Sequence, residues 1–82
     1  MIKTIKEMQA ALKNVGRTEN DEDKLAEYLR VQETGLPVRE VNEWTGVVTV
    51  FAGIVEMFAK WPAASVDGFE MNDGCWDVMI SD

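Results

Sequence analysis

The sequence contains no histidine, one cysteine and two prolines, and no lysine or arginine follows Lys60. Each absence excludes something. Without histidine, serine and cysteine nucleophiles lose their usual base. Zinc sites lose one of their two main ligand types. A lone thiol, Cys75, allows no internal disulfide and fits a reducing compartment. It sits beside a turn among acids, not in the electropositive setting that activates a thiol. No glycine pattern cradles a phosphate, because Gly46 and Gly53 have no flanking lysine. The longest apolar stretch, Val47 to Val55, is interrupted by Thr49 and Gly53 and then meets Glu56, far short of a membrane span. Met1 to Glu7 is charged and mixed, without the apolar segment of a signal peptide. The expectation is one small globular domain over residues 1–82, cytoplasmic, with no cofactor, no metal, no catalytic group and no membrane contact.

Charge is the most informative feature present. Fifteen acids against eight bases give −7 over 82 residues. That balance disfavours direct binding to nucleic acid, whose phosphates call for Lys and Arg. It suits solubility, or a partner with a basic surface. The distribution is uneven. Residues 1–17 hold four bases and one acid, whereas residues 61–82 hold five acids and no base.

Two amphipathic helices are expected first. Ile5, Met8, Leu12 and Val15 fall at helical spacing, and Gly16 suits a left-handed C-cap. The predicted helix runs from about Thr4 to Val15. Thr18 and Asn20 are candidate N-caps for a second helix carrying Leu25, Tyr28 and Leu29 and ending at Gly35. Asp21, Glu22 and Asp23 then sit in its first turn, where acids suit the positive helix end. That reading explains the acidic run better than an EF-hand loop, whose glycine and terminal glutamate are missing. A helix-turn-helix reader of DNA would lead with these same acids, which phosphates repel.

The third segment opens at Leu36-Pro37. Val41, Trp44, Val48, Phe51, Val55 and Phe58 step by three and four, and the preferred reading is one long central helix. A strand over Val47–Phe51, rich in β-branched residues, is the competing reading. After Pro62 the period becomes alternating. Asp73-Gly74 between alternating apolar residues predicts a two-residue hairpin turn. The register then sets Asn72 against Cys75, Met71 against Trp76, Glu70 against Asp77 and Phe69 against Val78. The expected fold is α+β: two short N-terminal helices, one long central helix and a C-terminal antiparallel hairpin packed on the helices.

Glu70 opposite Asp77 is a like-charge cross-strand pair, which is destabilising. Asp67, Asp73 and Asp82 add to the same field. A partner's cations would relieve it, or a lysine from the first helix, Lys3 or Lys6. The expected partner-binding residues are therefore Asp67, Glu70, Asp73 and Asp77 with Trp76 as an aromatic anchor, and secondarily Asp21, Glu22 and Asp23. In size, acidity, single cysteine and lack of catalytic groups the chain resembles, as a class, small phage or mobile-element proteins that block host defence or transcription, anti-CRISPR proteins among them. That likeness implies an inhibitor acting as a nucleic-acid mimic in a host cytoplasm, bound to a basic, nucleic-acid-binding surface of its target. The alternative is an assembly module that homodimerises or docks on a larger subunit through an apolar helix face of Trp44, Phe51, Phe58 and Trp61.

Overall fold

The first helix begins where Thr4 accepts a hydrogen bond from the Glu7 N–H at 3.1 Å, while Glu7 reaches back to the Lys3 N–H. This reciprocal cap satisfies two otherwise orphaned donors. In the computed structural model, which describes residues 1–81, α1 spans Ile5–Asn14. It buries Met8 and Leu12, one turn apart, on a single stripe. Gly16 adopts φ 92°, and the N–H groups of Gly16 and Arg17 turn back to the carbonyls of Lys13 and Leu12. That is the double closure of a Schellman end. The second helix, α2, spans Glu22–Glu33. Its N-cap is Asp21, not Thr18 or Asn20: the Asp21 carboxylate accepts from the N–H groups of Asp23 and Lys24.

No long central helix follows. Val38–Val41 forms β1, Val48–Phe51 forms β2, and Ile54–Lys60 forms a two-turn helix, α3. Ser65–Asn72 and Cys75–Ser81 form β3 and β4. Pro37 does not open a helix; its carbonyl accepts from the Trp76 N–H at 2.9 Å. The helix reading fails at Asn42. Its side chain accepts from the N–H groups of Trp44 and Thr45, while Gly46, at φ 73°, donates to the Asn42 carbonyl. These bonds close a turn that side-chain spacing does not reveal. The Val48–Phe51 segment of the competing reading is a strand. The α3 helix takes its cap from a distance, since the Gln32 side chain accepts from the Ile54 N–H. A Cβ at Gly53 would lie 2.7 Å from that same Gln32 oxygen.

The four strands form one mixed sheet in the order β2-β1-β4-β3. The β3–β4 hairpin has the expected register, including Glu70 against Asp77. It is not a separate unit laid on helices, because β4 also pairs parallel with β1 through Val38–Trp76 and Arg39–Asp77. The fold class is thus α+β with three short helices and a four-stranded mixed sheet. All three helices pack on one sheet face, where Val38 and Phe51 join Met8, Leu12, Leu25, Tyr28, Val31, Ile54, Met57 and Phe58 in the core. The apolar helix face expected from Trp44, Phe51, Phe58 and Trp61 does not exist. Phe51 and Phe58 are core, whereas Trp44 stands on the β1–β2 turn.

One polar knot closes the helix layer. Arg17 donates to the carbonyls of Pro62 and Ala64 at 2.8 and 2.7 Å and lies 4.1 Å from the centre of the Phe58 ring. It also meets Glu19, which accepts from the Tyr28 hydroxyl. The guanidinium thereby ties the α1–α2 connection to the α3–β3 connection. Tyr28 meets Phe58 and Phe69 edge to face.

Burial, chiefly, raises the Tyr28 phenol above its ordinary value, with Glu19 adding and Arg17 opposing. The folded state therefore holds this proton more tightly than the unfolded chain. The corresponding stability is intact below about pH 10 and is lost as the pH rises through the folded value. Tyr28 is the sole tyrosine, so phenolate absorbance reports it alone. Its titration in the folded protein is expected above that of the chain in denaturant. A separate substitution, Phe58→Ala, is expected to cost about 3–5 kcal/mol in urea unfolding.

Candidate protein-binding surface

Strand alternation sends Arg39, Val41, Val48, Val50, Asp77, Met79 and Glu70 to the sheet face opposite the helices. No element covers this face among the described residues. Val41, Val48, Val50 and Met79 are each about half exposed or more. The chain exposes 5328 Å², above the roughly 4,900 Å² expected for a folded protein of this mass. An uncovered sheet face accounts for the sign of that difference.

The fold also sorts charge. Residues 38–51 and 65–81 hold six acids and one base, a net −5; the other residues up to 64 hold eight acids and seven bases, a net −1. Asp82 supplies the remaining −1. The sheet's single base is Arg39. Its guanidinium forms a fork with the Asp77 carboxylate, Nε to Oδ1 at 2.6 Å and Nη2 to Oδ2 at 2.9 Å. This pair holds the Asp77 carboxyl below the usual carboxylate range, with Asn72 helping through a further hydrogen bond. Within the fold, the cation beside Glu70 and Asp77 is thus Arg39 from β1, and not Lys3 or Lys6.

The expected site residues separate accordingly. Asp67 lies at the irregular point of β3 and accepts from the Ser81 hydroxyl. Glu70 is exposed on the outer face, and Asp73 is the turn residue, with φ 51°. Asp77 is engaged by Arg39. Trp76 faces the helices, half-buried, with its indole N–H donating to Thr34 at 2.9 Å. It is a core wedge and not an exposed anchor. Asp21, Glu22 and Asp23 belong to the α2 N-terminus in the other layer. The structure therefore sets Glu70 beside Asp77, with Asp67 near one end of β3 and Asp73 in the turn past its other end; neither Trp76 nor the α2 acids join them on the outer face.

Sequence reasoning missed two features. The aliphatic strip of Val41, Val48, Val50 and Met79 was hidden by the helix reading. So was a gap in the sheet. Beyond Arg39–Asp77, β1 and β4 part, and a groove of about 420 Å³ opens between them, lined by Val41, Trp44, Met79 and Ile80 with Glu40 and Glu43. Trp44, on the turn beside it, is 94% exposed. The strand reading of Val47–Phe51 was the one signal that could have placed these residues on an open face.

Among the described residues no group of three or more Cys, Asp or Glu side chains is placed to hold a metal. No helix is long and apolar enough to cross a membrane. Compared with protein-family models, curated proteins and solved structures, the chain matches none.

The Arg39–Asp77 fork generates a pH dependence. A depressed carboxyl stabilises the fold above its unfolded value, near pH 3.9, and loses that stabilisation as pH falls through the folded value. Asp77→Asn is expected to lower the unfolding temperature at neutral pH. The gap from the parent protein should narrow in acid, as measured by thermal unfolding across the acid limb.

Proposed function

We propose that this chain is a protein-binding module whose open sheet face docks on a basic surface of a macromolecular partner. The observation that carries this reading is the composition of that face. An aliphatic strip shares its face with Glu70 and the Arg39–Asp77 pair, with Asp67 near one end of β3 and Asp73 just past the other, and the only base is already held by Asp77. Apolar centres with polar rims are the usual anatomy of protein interfaces. The acid excess selects partners of opposite charge and speeds their encounter. Trp44, at the edge of the strip, supplies an aromatic side chain of the kind that dominates binding energy. Where the basic surface is the partner's nucleic-acid site, docking occupies that site and inhibits it. This is the version that the chain's size and acidity favour, with action in the host cytoplasm for a phage-encoded chain.

The test is retention from bacterial lysate on the immobilised chain, eluted in salt steps with and without competing duplex DNA. Three variants accompany it: Asp67→Lys with Glu70→Lys, Val41→Ser with Met79→Ser, and Glu22→Lys with Asp23→Lys. The expected result is a basic protein released by salt and lost with both sheet-face variants. It should persist with the α2 variant. Retention that survives both sheet-face variants and fails with the α2 variant would overturn the reading. Displacement by DNA marks the nucleic-acid-site version; salt release without displacement argues against it.

A further inference from the structure

Strand β2 is an edge strand, and twelve consecutive residues around it, Trp44 to Val55, carry no charge. Edge strands in natural proteins are usually blunted by charge, proline or a covering element. Here Val48 and Val50 are 52% and 61% exposed with no charge or proline among their chain neighbours, and the strand's shortness, four residues, is its one protection. The main-chain pattern fixes which groups are free. Asn42 donates to the Val47 carbonyl, so alternation points the main chains of Val47, Thr49 and Phe51 toward β1. The N–H and C=O groups of Val48 and Val50 point the other way, off the sheet.

From this edge we infer that two copies of the chain pair antiparallel through β2, about a two-fold axis at Thr49, to form one continuous eight-stranded sheet. Only this register gives every free group of the edge a partner within the strand. Val48 faces the partner's Val50 and Val50 faces the partner's Val48, each as a doubly hydrogen-bonded pair. Thr49 meets the partner's Thr49 in the closer, non-bonded position, where threonine pairs are favourable. The valines then stack side by side on the outer face.

Charge identifies the occupant. A chain of −7 repels its own copy wherever acids meet, and the paired residues of the β2 edge carry no charge. Across the joined sheet the two Glu40 residues are separated by three strand spacings, about 14 Å. That exceeds the screening length of about 8 Å at physiological salt. The interface is isologous, as two-fold pairs require. Four strand residues per copy make it smaller than the standard interface of about 800 Å² per partner, so the pairing is reversible. It leaves the outer face open and does not rest on the partner reading above.

The experiment is sedimentation of the chain from about 1 µM to 1 mM, the range of weak to moderate affinities. It is run with the parent protein, Val50→Pro and Val50→Glu. Proline removes an N–H that β1 does not use, so the monomer fold tolerates it. The glutamate variant sets its carboxylate beside Arg39 within one copy and brings negative charge to the edge. Should the proline variant unfold, the glutamate variant carries the test alone. The expected result is a mass rising from monomer to dimer. Each variant that folds, by circular dichroism, should weaken the pairing about tenfold or more. The amides of Val48 and Val50 should exchange more slowly at high concentration. A parent protein monomeric throughout overturns the inference. So does a dimer indifferent to a folded variant, or one without slowed exchange at these two amides.

Discussion

The structure depends on a joint two residues long. Each hairpin, β1–β2 and β3–β4, is held by its own antiparallel ladder, and an isolated two-stranded hairpin is at best marginal in water. What makes them one sheet is the parallel contact at Val38–Trp76 and Arg39–Asp77. Three different interactions converge there. The Trp76 N–H donates to the Pro37 carbonyl, the indole N–H donates to Thr34, and on the opposite face Arg39 and Asp77 form their fork. The joint is therefore fastened on both faces and along the backbone. Proline suits its place at the entry, because it needs to supply only a carbonyl there.

The brevity of this joint has consequences on both sides of the sheet. On the helix side, Trp76 wedges beneath the end of α2, and the core closes over Val38. On the outer side, the strands separate past Arg39 and leave the groove beside Trp44. The same fork explains why Asp77 can face Glu70. A like-charge pair across two strands is unfavourable only until a third strand brings a cation to one member. Arg39 is thus spent on holding the sheet together. It does little to neutralise the rest of the outer face, whose remaining acids define its electrostatics.

Much of this was legible in the chain, and the failures have physical causes. The Asp73-Gly74 turn and its register could be read because turn geometry and alternation agreed on one answer. The α1 stop could be read because Gly16 sits where a left-handed residue is required. The long central helix could not be avoided by spacing alone. Val41, Val48, Phe51, Val55 and Phe58 step as on a helix, although they come from two strands and α3. Steps of three and four also arise when a turn of a few residues interrupts an alternating pattern. The discriminating signals were Asn42 and Gly46, which close the turn, and the run of β-branched residues at Val47–Val50. Long-range partners were beyond reach. Nothing local in the sequence joins Arg39 to Asp77, or Gln32 to the start of α3.

The three tryptophans show how this error propagated to the site. Read as helix residues, Trp44 and Trp61 belong to one apolar face, and Trp76 on the hairpin reads as an aromatic anchor. The fold distributes them otherwise. Trp76 has a hydrogen-bond partner for its N–H and a helix to pack on, so its burial satisfies both halves of the side chain. Trp61 ends α3, partly exposed, with Lys60 over its ring at 5.4 Å. Among the described residues Trp44 has neither an element that buries it nor a cation over its ring; its main-chain N–H only helps to close the Asn42 turn. A large aromatic held 94% exposed on a well-bonded turn contributes nothing to the core. Its place beside the aliphatic strip and the uncharged β2 edge therefore makes the outer face, and not the acidic hairpin alone, the surface on which function is to be sought.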